Sequence, residues 1–295
     1  MKITFLGTSA MVPTKERNHP SILINYNREN ILLDCGENTQ RQLRLINFSP
    51  NKITRLLVSH WHGDHILGIP GLIQTLGANN YEKTLEIYGP KHSKLFIRKI
   101  MNSFLLKDKI KFKVHEVTGK FYENEDFYLE AYYLKHSAPT LAFSLIEKPR
   151  RKMNLKYLKK FNLTKHPLLG ELQKGKNITY KSKKIKAKDA TILIPGKKIT
   201  YLSDTVFNPN CIKIAKNADL LISESTFAND YKNKAKEYQH LTAEQAALIA
   251  KKANAKQLIL THFSQRYKNV KQLEKEAKKI FKFTQSAKDF DTFHL

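Results

Sequence analysis

The chain has 295 residues, 41% of them hydrophobic and 10% aromatic, which suits one large or two small globular domains and excludes a disordered chain. Basic residues outnumber acidic ones 52 to 26, giving a net charge of +26; only nine are Arg, so a general lysine bias contributes and the charge supports a polyanionic partner without proving one. Two cysteines, Cys35 and Cys211, exclude a disulfide framework and a zinc-finger pattern and point to a reducing, cytoplasmic home, and no apolar run approaches the ~20 residues of a membrane span.

The opening MKITFLGTSA carries an apolar run, Ile3–Leu6, that is too short for an export signal and reads as a first strand. Strands are then expected at Ser21–Asn25, Asn30–Asp34, Arg55–Ser59, Leu85–Tyr88, Lys111–Val117, Phe127–Lys135 and Leu141–Ile146. Further strands follow at Ile199–Leu202, Leu220–Glu224 and Leu258–Thr261. Helical spacing marks Thr39–Ile46, Ile66–Leu76, Ser93–Phe104, Ala243–Ala253 and Val270–Phe281. This alternation predicts an α/β architecture, with two sheets packed face to face and helices outside.

Between Lys148 and about Ala190 the composition shifts to Lys with scattered Leu, Tyr and Phe. The stretch reads either as a solvated, weakly ordered insertion or as a protruding basic arm, helical around Leu155–Phe161, that grips a phosphate backbone. The expected organisation is a catalytic domain of residues 1–147 and 191–295 with an inserted arm of residues 148–190.

The strongest chemical signal is Ser59-His60-Trp61-His62-Gly63-Asp64-His65, directly after an apolar strand. His60 and His62, two apart on extended backbone, project to one side; Gly63 permits a turn, and Asp64 and His65 fall where a helix begins. Three imidazoles and a carboxylate within six residues suit a metal that takes nitrogen and oxygen ligands. Two metals need more ligands, and His136, Asp204 and His262 each stand at or just beyond the end of an expected strand, where strand ends of one sheet converge.

With these residues the chain resembles the metallo-β-lactamase superfamily and, within it, ribonuclease Z, the tRNA 3′-processing endonucleases. The resemblance runs over nearly the whole chain: Phe5-Leu6-Gly7-Thr8-Ser9, Pro13–Asn18, Asp34-Cys35-Gly36-Glu37, His60–His65, Ser203-Asp204-Thr205, Glu224-Ser225-Thr226-Phe227, His240-Leu241-Thr242 and His262-Phe263-Ser264. The histidine motif identifies the superfamily, whereas Pro13–Asn18 and the Glu224 and His240 segments point to the tRNA enzymes.

The resemblance implies a metallo-β-lactamase-type αββα four-layer sandwich with a protruding basic arm. It implies two Zn2+ per subunit, or Mn2+ or Fe2+ in their place: His60, His62 and His136 for one, Asp64, His65 and His262 for the other, and Asp204 between them. Water activated between the ions would attack the phosphorus after the discriminator nucleotide. Asp64 would orient it and take its proton, and His240, held by Glu224, would protonate the leaving 3′-oxygen; His240 could instead cap the helix that begins near Thr242.

The implied partners are precursor tRNA and a second copy of the chain in a homodimer, with no membrane. The arm would supply a tRNA-gripping exosite around His166–Gly175, in which His166 stands where the family commonly has Gly, as does Asn38 after Glu37. Arg17, Asn18, Thr205 and Arg266 are candidate substrate contacts, with a structural hydrogen-bonding role as the alternative for each. The implied reaction removes the 3′ trailer of precursor tRNA, leaving a 3′-hydroxyl on the tRNA and a 5′-phosphate on the trailer. The alternative is a small-molecule phosphodiesterase or other hydrolase with the same site.

Overall fold

The structure, a computed structural model, describes residues 1–105 and 110–295. The described chain divides into two compact units, one of Met1–Tyr122, Leu129–Leu145 and Lys198–Leu295, the other of Glu123–Tyr128 and Ile146–Lys197.

The larger unit is built on two sheets. In the first, the strand order is Thr292–His294, Lys2–Gly7, Ser21–Tyr26, Glu29–Leu33, Arg55–Leu57, Thr84–Gly89, Lys111–Glu116. In the second it is Thr284–Ser286, Leu258–Thr261, Leu220–Glu224, Lys198–Leu202, Leu141–Glu147, Phe127–Tyr133, Gly119–Glu123. Strand alternation decides which face each residue covers. Ile24, Ile31, Leu33 and Leu57 of the first sheet meet Leu129, Phe143, Leu145 and Ile199 of the second.

Their neighbours Leu23, Leu32 and Leu56 point the other way, into a buried cluster with Leu43, Ile69, Leu72, Ile73, Leu76 and Ile97 from three helices. On the far side, Leu221, Leu258 and Leu260 pack on Ile214, Ala243, Ala246, Ala247, Ala250 and Leu273. The four layers are therefore helix, sheet, sheet, helix, as the sequence implied.

One expected helix is divided. Ile66–Leu76 is split between Gly63–Ile66 and Ile69–Ala78. The break falls at Gly68, where a Cβ would lie 2.0 Å from the Gly36 carbonyl oxygen, so only glycine lets the chain pass.

The smaller unit has its own core. An antiparallel pair, Arg150–Met153 with Thr191–Ile194, opens into helices Leu155–Lys159 and Leu168–Gln173 and a ribbon of Ile178–Tyr180 with Lys183–Ile185. Leu158, Leu163, Leu172, Ile178, Ile185, Ala187 and Ala190 are buried together. The Lys-rich stretch thus orders around a small apolar cluster while its charges stay outside. His166 accepts the Leu168 N–H on Nδ1 at 3.2 Å and packs its ring 5.2 Å from that of Tyr180.

Candidate metal centre

Parallel strand register brings the chemistry to one edge of the second sheet. Leu202 pairs with Ser223, and Glu224 with Thr261, so Asp204, Glu224 and His262 leave three adjacent strands at the same end. In the first sheet Leu33 pairs with Leu57, which places Asp34 beside the segment Ser59–His60. His62 is extended and Asp64 lies in the first turn of the helix that follows. Two of these residues take left-handed backbone, Asp34 at φ 55° and His262 at φ 60°, conformations that persist only where the surroundings hold them.

The seven expected ligands gather in two adjacent groups. His60, His62, His136 and Asp204 form one and Asp64, His65 and His262 the other, with the donor atoms of each group within 4.8 Å of one another. Asp204 Oδ2 lies 3.5 Å from Nε2 of both His60 and His65, between the groups. A third group joins Asp204, His240 and His262.

The outer nitrogen of most of these rings is held. His65 Nδ1 donates to Asp34 Oδ2 at 2.8 Å, and His136 Nδ1 donates to the Gln239 carbonyl at 3.0 Å. Ser59 Oγ donates to Asp34 Oδ2 at 2.8 Å and so receives His60 Nδ1–H at 3.0 Å. Thr226 Oγ1 donates to Glu224 Oε2 at 2.7 Å and so receives His262 Nδ1–H at 2.9 Å. These partners fix the tautomers and turn the Nε2 lone pairs inward.

The inward geometry fits divalent cations. Nε2 of His65 and Nε2 of His262 face each other at 3.2 Å, two lone pairs that repel unless a positive charge lies beside them. Asp204 Oδ1 is buried without a hydrogen bond. Burial holds the His60, His62 and His136 pKa values below the ordinary range, so these rings are neutral and available as ligands. Burial also works against a charged His65, but Asp64, Asp204 and Asp34 outweigh it and drive its pKa well above the usual value. The carboxylates around that ring call for a cation, and a proton takes that place when no metal does.

The site opens into a cavity of about 450 Å3 lined by His62, Asp64, His136, Asp204, His240 and His262, with Met11, Phe227, Tyr238 and Arg266 as its further wall. His240 Nδ1 donates to Glu224 Oε1 at 3.2 Å. Burial alone would lower the His240 pKa, but Glu224 and Asp204 push it up to about 9. Glu224 is fully buried and also accepts the Thr205 and Thr226 amides. His240 does not cap the following helix: Thr242 does, in a capping box with Gln245.

The candidate substrate residues separate. Arg266 lines the cavity, its guanidinium 4.9 Å from the Phe227 ring centre and 4.5 Å from that of Tyr231, with Nε donating to Ser264 Oγ. Arg17 is buried behind this wall and reaches the Ser264 carbonyl at 3.4 Å. Asn18 lines a second hollow with Pro13, Glu37 and Gln40 and donates to the Glu37 carbonyl. Thr205 is fully buried, its single hydroxyl proton within reach of the Val206 carbonyl at 2.9 Å or the Lys135 carbonyl at 3.2 Å.

Sequence reading did not single out Asp34, Ser59 and Thr226 as the residues that orient the rings. An Asp ending an expected strand just before Cys35-Gly36 was the available signal. Asn38, in the family's glycine position, adopts φ 66°, which asparagine tolerates better than most side chains.

Fold and site together define a metal-dependent hydrolase of the metallo-β-lactamase fold. A metallo-β-lactamase fold protein from Bacillus subtilis, YhfI, superposes with a TM-score of 0.72 at 22% identity, over 99% of this chain and 98% of its own. A family model described as anti-Pycsar protein Apyc1 matches residues 1–289. Ribonuclease Z of Methanothermobacter thermautotrophicus is 39% identical over 298 residues, covering 100% of this chain and 97% of that protein. Ribonuclease Z of Nanoarchaeum equitans is 39% identical over 90% of this chain and 84% of its own. The crystal structure of the short form of human tRNase Z gives a TM-score of 0.72 at 29% identity, over 100% of this chain and 99% of that one. The chain belongs to the family that this model describes and, among its curated relatives, to ribonuclease Z.

Proposed function

We propose that the chain is an endoribonuclease that removes the 3′ trailer of precursor tRNA next to the discriminator nucleotide. The observation that carries this reading is that His240, backed by the buried Glu224, faces the cavity that His62, Asp64, His136, Asp204 and His262 of the converging donors also line. In this reading His60, His62 and His136, together with Asp64, His65, His262 and Asp204, would hold two Zn2+ ions, with Mn2+ or Fe2+ able to substitute. Bound there, the ions would polarise a phosphoryl oxygen and bring the pKa of water near neutrality.

The side chains supply the remaining steps. Asp64 orients the attacking water and accepts its proton, and the bond from phosphorus to the 3′-oxygen breaks. His240 carries a proton at neutral pH and delivers it to that oxygen, while Glu224 holds the ring and balances its charge. The products are a 3′-hydroxyl on the tRNA and a 5′-phosphate on the trailer. Arg266, kept flat by two aromatic rings, is the phosphate contact that the cavity favours. Arg17, Asn18 and Thr205 act by shaping the loops around the cavity.

The Lys-rich unit, within residues 148–190, serves as the tRNA exosite, and its charges supply binding that is strong at low salt. The working assembly in this reading is a homodimer in the cytoplasm, where the buried thiols of Cys35 and Cys211 stay reduced. Among the described residues no helix is long and apolar enough to cross a membrane.

Incubating the purified protein with a precursor tRNA carrying a 3′ trailer, with and without a chelator, tests the proposal. A single chelator-sensitive cut beside the discriminator base, leaving a 3′-hydroxyl, is the expected result. Hydrolysis of a small phosphodiester without any cut in the tRNA would transfer the site to small substrates.

A further inference from the structure

We propose that His19 is a positioning residue for Asp64, acting through the backbone of Met11. Met11 sits on an exposed loop with φ 52°, backbone that a side chain other than glycine rarely adopts. That conformation aims its N–H at Oδ2 of Asp64, 2.9 Å away. The same oxygen lies 3.4 Å from His65 Nε2 and 3.3 Å from His262 Nε2, so the Met11 amide helps to decide how the carboxylate meets the two rings.

The carbonyl on the other side of the Met11 Cα is held by His19, whose Nε2 donates to it at 3.0 Å. The ring is buried, and it fits because position 36 is glycine: a Cβ there would fall 2.5 Å from that of His19. Its second nitrogen, Nδ1, is also buried and has no hydrogen bond; Oε2 of Glu37 is 3.8 Å away. A buried unsatisfied nitrogen is unfavourable, and an aliphatic side chain of similar size would avoid it. What histidine adds at this position is the Nε2–H donor. Ser9 Oγ, donating to the Val12 carbonyl at 2.7 Å, braces the same loop from the other side.

The inference rests on the role proposed for Asp64 as ligand and proton acceptor. It is tested on the zinc-loaded protein by comparing His19→Leu with His19→Gln, whose amide keeps a donor. Three quantities are read: zinc affinity by competition with a chromophoric chelator, kcat and KM on precursor tRNA, and the thermal midpoint. His19→Leu is expected to weaken the less tightly held zinc and lower kcat, each about tenfold, with KM and the thermal midpoint little changed. His19→Gln is expected to stay within about twofold of the parent for both.

Repeating His19→Leu in a Met11→Gly background separates positioning from packing, because glycine takes positive φ without being held. There the substitution is expected to cost less than about twofold. An equal cost in both backgrounds, parental behaviour of His19→Leu, or a His19→Gln protein as impaired as His19→Leu would each overturn the proposal. A measurement needing no variant is the 15N spectrum of the His19 ring: the Nε2–H tautomer is expected, and the Nδ1–H tautomer excludes the donation. If the zinc effects appear in a protein that leaves precursor tRNA uncut, the tRNA reading fails and the positioning role stands.

Discussion

Oδ2 of Asp34 lies 2.8 Å from Nδ1 of His65, and both side chains are fully buried. The same carboxylate accepts the Ser59 amide and hydroxyl and the Tyr201 hydroxyl, so four donors converge on one group. Asp34→Asn turns an amide N–H toward at least one of these donors. Metal affinity should fall about 10–100-fold, measured by chelator competition, although Asp34 touches no ion itself. Unchanged affinity would mean that the ring holds its orientation without the carboxylate.

Replacing Glu224 by Gln removes the charge that raises the His240 pKa. His240 donates a proton, so activity declines as pH rises through its pKa, which Glu224 raises. In Glu224→Gln that alkaline decline should move down by at least about one unit, toward the ordinary histidine value of ~6.5. Single-turnover cleavage against pH, at fixed metal content, reads the shift. A limb that stays in place would take His240 out of the proton transfer.

Arg266 owes its geometry to Phe227 and Tyr231. Arg266→Lys keeps the charge and loses the flat, two-pronged donor, so kcat/KM on precursor tRNA should fall about tenfold. Hydrolysis of a small aryl phosphodiester should fall less, because that substrate lacks the flanking nucleotides. Equal losses on both substrates would place Arg266 at the scissile phosphate itself.

Deleting Lys152–Lys188 removes most of the basic unit but leaves the Arg150–Ile194 and Arg151–Leu193 pairs that close its base. Precursor tRNA should bind more weakly, with a shallower dependence of log affinity on log salt, and small-ester hydrolysis should persist. Loss of both activities together would show that the unit supports the fold.

Asp289 provides a pH test of stability. It accepts from Thr8 Oγ1, the Asn18 amide and Gln42 Nε2, yet burial pushes its pKa up to about 6. A carboxyl raised in the folded state favours folding when protonated, so its contribution is complete below about pH 4 and is lost as pH rises through 6. The loss is roughly 2–3 kcal/mol. The thermal midpoint of Asp289→Asn relative to the parent should therefore rise between pH 4 and pH 7. The opposite trend would mean that the three donors outweigh burial.

The parts of the site that were legible in the sequence are local or sit at strand ends. His60–His65 is read from six consecutive residues, and Asp204 and His262 from the apolar runs that precede them. The fold followed from short apolar runs such as Ile22–Ile24 and Leu220–Ser223, whose two faces are both buried. Contacts across long stretches of chain were not legible. Asp34 reaches Tyr201 across 167 positions, and Met11 meets Asp64 across 53. Edge strands such as Gly119–Glu123 and Thr292–His294 were missed because their half-solvated faces leave little apolar pattern. The helix break at Gly68 depends on the Gly36 carbonyl, a neighbour that no local pattern specifies.

Besides two backbone amides, Glu224 serves two rings: Oε1 takes His240, and Oε2 reaches His262 through the Thr226 hydroxyl. The proton donor and one ring of the ligand set therefore share a single carboxylate. Redesign for a different working pH cannot treat them as independent parts, because any replacement at position 224 retunes both at once. Variation that moves the pH optimum without disturbing the ligand set is confined to positions that meet His240 and none of the ligands, of which Phe227, on the cavity wall with its ring 6.1 Å from that of His240, is one.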